Sequence, residues 1–410
     1  MTSSPKHALP EPSTERIDMA DLADWATDRR VAKLAADPAG VSIVWDDGLK
    51  QRFHALWLRD NCACTACRHP QARERRFLLI DAPRPAVLGA GLTAGGNVEI
   101  RFAPSRGEPH LAVFDAGWLR RHGEGEALRE PQRRLWDASL AARLPTFAYD
   151  AVMSSPEGLA RWLEAILEYG VALLRGAPAE PGEIRRIAAL VQRHPRPTNF
   201  GDMYDVVSVP NPNASADTPM ALEPHTDLAN WRCPPDIQLL FCVANEAPGG
   251  DSVLVDGCRV AEELRVADPE AFRMLATYPV EFRFQDADVD IRYTGLTIET
   301  GGDARVSAVR FNNWLRSAFP LPQTPVEPMY RALLRLWSLL REERFQLRLK
   351  LDPGDMLAMN NLQVLHGRDA FDPNSGRRHL QGCYIDRELV LSRLRVLARA
   401  GSVSGARRDG

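Results

Sequence analysis

The sequence predicts a mainly β protein with flanking helices (α+β), a sandwich or jelly roll as its larger part and a small β-rich module ahead of it. Three observations carry this. Apolar runs of strand length, bounded by turn residues, recur at 237–243, 252–255, 280–284, 308–311, 345–349, 356–359 and 380–385. Helical spacing appears around them: Leu159, Trp162, Leu163, Ile166 and Leu167 precede Gly170, and further stretches lie near 183–192, 259–275 and 326–340. No G-x-G-x-x-G or G-x-x-x-x-G-K-[ST] pattern supports a doubly wound nucleotide-binding sheet.

A chain of 410 residues has room for two or three domains. Its 45% hydrophobic and 26% charged residues, with 28 Gly and 31 Pro, exclude collagenous and wholly disordered classes. The 51 basic and 54 acidic residues nearly cancel, to a net charge of -3, which argues against nucleic acid as a partner. No apolar stretch approaches the roughly 18–20 residues of a membrane span, and the N-terminus lacks an export-signal core. A cytoplasmic protein with no membrane partner is expected. The odd count of 7 cysteines fits a reducing compartment better than a disulfide framework.

Taken in order, residues 1–29 form an N-terminal segment whose Pro, Ser and charge content predicts mobility. A module over 30–125 follows. Within it Val41-Ser42-Ile43-Val44-Trp45, a turn at Asp46-Asp47-Gly48 and a run to Trp57-Leu58-Arg59 read as two strands leading into a cysteine cluster. A related pattern returns as Val98-Glu99-Ile100-Arg101-Phe102 and later Trp118-Leu119-Arg120, a weak internal repeat. A polar connection near 124–144 separates this module from a second one over 145–400, whose tail from Gly401 to Gly410 reads as mobile.

Cys62-x-Cys64-x-x-Cys67 offers three soft thiolates, and a closed tetrahedral zinc site needs a fourth ligand. His69 is near but strained for the same tetrahedron, whereas His110 in the second half-repeat can fold back; His110 is favoured. Nothing nearby supplies a general base, so the expected zinc is structural.

The second candidate centre is His225-Thr226-Asp227. On an extended segment residues two apart share a face, so the imidazole and the carboxylate can meet one ion. His366, in Leu365-His366-Gly367-Arg368 at the end of an apolar strand, supplies the second imidazole. Two His and one carboxylate on one face of an octahedral ion are the donor set of non-haem Fe(II) oxygenases, with three positions left for a bidentate 2-oxo acid and dioxygen. The far carboxylate of that co-substrate needs a guanidinium fork, for which Arg378 is placed and Arg377 competes.

With these residues in view, the chain resembles the γ-butyrobetaine hydroxylase group within the taurine dioxygenase superfamily of Fe(II)- and 2-oxoglutarate-dependent oxygenases. The resemblance runs from Leu56-Trp57-Leu58-Arg59-Asp60-Asn61-Cys62 through His225-Thr226-Asp227, Pro234-Pro235-Asp236-Ile237-Gln238, Gly249-Gly250-Asp251-Ser252, Phe311-Asn312-Asn313 and Pro353-Gly354-Asp355 to Leu365-His366-Gly367-Arg368 and Arg378-His379-Leu380. It implies a double-stranded β-helix catalytic core, zinc on Cys62, Cys64, Cys67 and His110, Fe(II) on His225, Asp227 and His366, and 2-oxoglutarate on Arg378. It also implies a homodimer. The implied reaction is hydroxylation of a small-molecule substrate by dioxygen, coupled to oxidative decarboxylation of 2-oxoglutarate to succinate.

In that group a trimethylammonium sits among aromatic faces. The matching positions are Phe200, Tyr204, Asp217 and Tyr384, and Asn312 or Asn313 with nearby Arg310 would meet the anionic end. A small cationic or zwitterionic substrate is therefore expected, γ-butyrobetaine or a trimethylammonium phosphonate such as trimethylaminoethylphosphonate first. Asp217 equally suits a non-quaternary amine or amino acid. A catalytically silent zinc-bearing interaction protein is the alternative from outside the enzymes.

Overall fold

The computed structural model describes residues 17–406 apart from 23–24, 26, 82–83, 105–106, 124–131, 208–217 and 320–324. Residues 1–16 and 407–410, where mobility was expected, and Asp217 lie outside them. The chain divides into two compact units, one of Met1–Arg129 with Arg399–Gly410 and one of Glu130–Ala398.

The first unit contains two three-stranded antiparallel sheets, Val31–Asp37 with Gly40–Trp45 and Lys50–His54, and Val87–Leu92 with Val98–Phe102 and His110–Phe114. A short helix follows each, Ala55–Asp60 and Ala116–Gly123. The weak sequence repeat is thus a sheet–helix unit used twice. Period-two alternation buries Val41, Ile43 and Trp45 in one central strand and Val98, Ile100 and Phe102 in the other. The repeated W-L-R lies on the helices, where Trp57 and Trp118 stack at 5.1 Å. The run before the cysteines is therefore part strand and part helix. His54 Nδ1 accepts from Leu56 N at 3.1 Å and starts the helix where the strand ends. Ile17, Met19 and Trp25, from the segment expected to be mobile, pack on this core.

The second unit is built on two sheets. The larger runs in the order Thr146–Ala148, Val171–Arg175, Met356–Asn360, Ile237–Asn245, Arg378–Ile385, Tyr204–Val206. The smaller runs Leu222–His225, Val364–Arg368, Ser252–Asp256, Gln346–Leu349. Val171, Leu173, Cys242, Leu357, Met359 and Leu380 of the first meet Leu254, Leu347 and Val364 of the second in one apolar layer. This is a double-stranded β-helix.

Helices cover its outer faces. Trp162, Leu163 and Ile166 of Pro156–Tyr169 pack with Ile237, Leu239 and Phe241. Ser155 Oγ accepts from Gly158 N at 2.9 Å to begin that helix, and Gly170, at φ 71°, ends it. On the smaller sheet's side, the single helix expected near 259–275 is two, Gly257–Ala267 and Pro269–Thr277. Pro269 lacks the N–H that would continue the first, and Asp268 caps the second by accepting from Ala271 N at 3.0 Å. No described helix is long and apolar enough to cross a membrane.

Candidate active site and metal centres

His225 and His366 are direct cross-strand partners on adjacent strands of the smaller sheet, after a register shift between Leu222 and His225. Opposed residues on one antiparallel pair share a face, so the rings sit 4.6 Å apart. Asp227 returns to that face just past the strand. Its Oδ1 is 3.3 Å from His225 Nε2 and 3.5 Å from His366 Nε2. Adjacent donors on an octahedral ion with bonds of about 2.1 Å lie about 3 Å apart, so one ion fits between them. The His225 Nδ1–H donates to the Glu223 carbonyl at 2.9 Å, which leaves the Nε2 lone pair for a metal. Burial pushes His366 down to about 4, so it is a neutral ligand near neutral pH.

The segment carrying His225 and Asp227 is pinned from several sides. Thr226 Oγ1 donates to the Val309 carbonyl at 3.0 Å, and its N–H to the Phe311 carbonyl at 2.7 Å. Asn361 clamps Asp227 by accepting from its N–H at 2.8 Å and donating to its carbonyl at 3.0 Å. The second carboxylate oxygen is held as well. Asp227 Oδ2 accepts from Gln238 Nε2 at 2.8 Å and from the Tyr384 hydroxyl at 2.7 Å. Gln238 also donates to the Tyr204 hydroxyl at 2.8 Å, which donates to Tyr384 at 3.1 Å. Burial works against the Asp227 charge, but the His366 and His225 imidazoles with the Tyr384 hydroxyl hold its carboxyl below the usual range. Oδ1 alone is left facing the two imidazoles.

Strand alternation explains why these residues meet. In Arg378–Ile385, residues 378, 380 and 384 line one cavity, while Cys383 and Ile385 enter the helix-covered core. Gly382 is required there because a Cβ would overlap the Tyr204 ring.

The cavity holds 760 Å³, and His225, Asp227, His366, Arg378, Phe200, Tyr204, Tyr384 and Asn312 all line it. Phe200 stands edge-on to Phe284 at 5.4 Å, and Trp314 edge-on to His225 at 5.4 Å. Arg378 is half-buried, lies over Phe371 at 4.8 Å, donates from Nη2 to the Gly250 carbonyl at 3.4 Å and has no carboxylate partner among the described residues. Its Nε is buried without a hydrogen-bond partner, so a guanidinium edge is available to an anion. A Cβ on Gly250 would come within 2.9 Å of that Nε.

The residues expected at the anionic end of a substrate are occupied otherwise. Asn312 donates to the Thr226 carbonyl at 3.1 Å, and its Oδ1 accepts from Trp314 N and Leu315 N, both at 3.1 Å. Asn313 is not in the cavity wall and accepts from Arg316 at 3.3 Å. Arg310 Nη1 donates to the Ala229 and Trp231 carbonyls, both at 2.8 Å. Asn361, Trp314, Phe284 and Arg283 were not singled out in the sequence, and Gln238 entered only as part of the Pro234–Gln238 motif, with no role given to it. Gln238 alone had a local hint, a polar side chain inside the apolar run 237–243.

In the first unit the ligand atoms of Cys62, Cys64, Cys67 and His110 lie within 4.8 Å of one another. His110 Nε2 is 3.3, 3.8 and 3.5 Å from the three sulfurs in that order. A tetrahedral zinc with bonds of about 2.3 Å to sulfur and 2.0 Å to nitrogen requires S–N edges of about 3.6 Å, so the donor set fits. His69 is elsewhere, its Nδ1 accepting from Gln71 N at 3.3 Å and Ala72 N at 3.1 Å. Arg59 Nη1 donates to Cys67 Sγ at 3.0 Å, a charge partner for a thiolate.

Residues 129–384 match the taurine catabolism dioxygenase TauD, TfdA family, and residues 32–120 match the gamma-butyrobetaine hydroxylase-like N-terminal family. Gamma-butyrobetaine dioxygenase of Pseudomonas sp. (strain AK-1) is 38% identical over 388 residues, 92% of this chain and 100% of that one. The human gamma-butyrobetaine dioxygenase is 30% identical, over 87% of this chain and 94% of that one. Trimethyllysine dioxygenase of Meyerozyma guilliermondii is 28% identical, over 90% and 96%. A solved asparagine oxygenase in complex with Fe(II) and succinate is 18% identical, with a TM-score of 0.43 over 67% of this chain and 85% of that one.

Proposed function

This chain belongs to the TauD, TfdA dioxygenase family, among its gamma-butyrobetaine hydroxylase-like members, and from that premise we propose that it is an Fe(II)- and 2-oxoglutarate-dependent hydroxylase of a small zwitterion bearing a quaternary ammonium, with γ-butyrobetaine the first candidate. The observation that carries the reading is the convergence of His225, Asp227 and His366 on one point of a cavity that also presents aromatic faces and, in Arg378, an arginine with no carboxylate partner among the described residues. When bound, Fe(II) supplies the redox chemistry that couples 2-oxoglutarate decarboxylation to hydroxylation of an unactivated C–H bond.

The chain's own residues divide the remaining work. Arg378 receives the far carboxylate of 2-oxoglutarate in a charge-assisted pair, which replaces the solvation its burial removes. Tyr384 and Gln238 keep Asp227 Oδ2 occupied, so the carboxylate offers the ion one oxygen. Phe200, Tyr204 and Tyr384 turn ring surface toward a cation that cannot donate strong hydrogen bonds. All seven cysteines are unpaired, which supports a reducing, cytoplasmic setting.

A succinate-release screen over betaines, trimethylammonium phosphonates, protonated amines and amino acids tests the reading. Stimulation by the quaternary compounds is the expected result, and stimulation by protonated amines alone would replace it. Arg378→Ala removes one partner of a buried charge pair, a loss of about 2–5 kcal/mol. The KM for 2-oxoglutarate is therefore expected to rise by roughly 10²–10³-fold, with a much smaller change in KM for the substrate. Gln238→Leu leaves the fold and the three ligands in place but removes one of the two hydrogen bonds to Asp227 Oδ2, that from Tyr384 remaining. Loss of such an orienting partner costs roughly 10–100-fold in metal affinity, measurable as Mn(II) binding by calorimetry.

A further inference from the structure

With Arg310, Asn312 and Asn313 committed to the main chain or turned from the cavity, three arginines remain in its wall: Arg283, Arg368 and Arg378. Arg378 is assigned to the co-substrate, and Arg368 is buried and donates to the Thr218 carbonyl. Arg283 differs from both. It lies on the strand Val280–Gln285, directly opposite Arg292 of Asp290–Gly295. Like charges placed directly across a hairpin repel, and one carboxylate ties these two together. Arg283 gives its Nε and Nη2 to Asp290 at 2.9 and 2.6 Å, and Arg292 does the same at 3.0 and 2.6 Å. Asp290 thus faces two guanidinium groups, and Glu281 adds a second carboxylate charge near Arg292. Nη1 of Arg283 has no partner among the described residues.

The position suits a substrate group. The Arg283 N–H donates to the Leu315 carbonyl at 2.7 Å, next to the Trp314 that packs on His225. Its neighbour Phe284 meets Phe200. Arg283 thus lines the same cavity as the metal-binding histidine, on a hairpin tied through its main chain to Leu315 and through Phe284 to Phe200.

We infer that Arg283, oriented by Asp290 and accompanied by Arg292, binds the anionic group of the substrate, a carboxylate or a phosphonate. The inference rests on the zwitterion reading above and names the residue that sets specificity for its anionic end. A charge-assisted hydrogen bond of this kind is worth roughly 10–100-fold in binding. Three probes separate the cases: γ-butyrobetaine, trimethylaminoethylphosphonate and n-butyltrimethylammonium, which has no anion. In Arg283→Gln the KM for the first two is expected to rise roughly 10–100-fold with kcat nearly unchanged, and the response to the third to stay as in the native enzyme. A greater loss for one anionic probe identifies which anion the site takes. Calorimetric titration of the Mn(II)- and 2-oxoglutarate-loaded protein without dioxygen should show the same selectivity, and Arg283→Lys should recover part of it. An equal loss for all three probes, or none, overturns the assignment of Arg283 alone. If the native enzyme responds to none of them, the zwitterion reading falls and takes this assignment with it.

Discussion

Cys67→Ser, or chelation of the native protein, will lower the thermal midpoint of the N-terminal unit by roughly 20 °C or more while the β-helix unit keeps its own transition. The size follows from metal linkage. A structural zinc contributes about 10–16 kcal/mol of apparent binding free energy, which is folding free energy when the site exists only in the folded state. Each kcal/mol shifts the midpoint of a domain of this size by about 4–8 °C. Cys62 and Cys67 are themselves buried in the core with Leu58, Ile100 and Phe114, so the released thiols cannot leave without disturbing that packing. Zinc content by atomic absorption with hydrogen exchange across residues 31–123 checks it. A metal-free unit that remains equally protected would show that the cluster is not structural.

Asp227→Ala will abolish substrate-dependent succinate release, by about 10³-fold or more if the missing ligand costs several kcal/mol. It will also remove Fe(II) or Mn(II) binding in calorimetry. The fold should survive, because the segment carrying residue 227 is pinned through its main chain by Asn361 and through Thr226, contacts that the substitution leaves in place. Retained metal binding with lost activity would move the metal away from this triad; unchanged near-ultraviolet dichroism guards against a folding artefact.

The legible parts of this protein were those that chemistry forces into short sequence patterns. Three cysteines in C-x-C-x-x-C, a histidine and an aspartate two apart, and an arginine on an alternating strand each declare a local geometry. Long apolar runs at 237–243 and 356–359 likewise became central strands because both faces are buried. The strand Val31–Asp37 escaped notice, since its exposed Lys, Ala and Asp positions carry no clear period.

Tertiary structure decided whatever depends on partners far apart in the chain. His110, already favoured over His69, reaches the cysteines through a β-meander that brings residue 110 back to them, while His69 caps a turn. Asn312, read as a substrate contact, is held by Thr226, Trp314 and Leu315 because the strand carrying His225 is threaded beside it. The Tyr384–Asp227 and Asn361–Asp227 hydrogen bonds join residues more than a hundred positions apart, and no local propensity encodes such a pairing. The sequence by itself determined the β-rich architecture and named the residues able to form the two candidate metal donor sets and to meet the co-substrate, since residue type and spacing set ligand chemistry and side-chain facing. Only the fold decided which oxygen of Asp227 faces the imidazoles and which arginine remains available in the cavity, because those depend on hydrogen bonds that strand register creates.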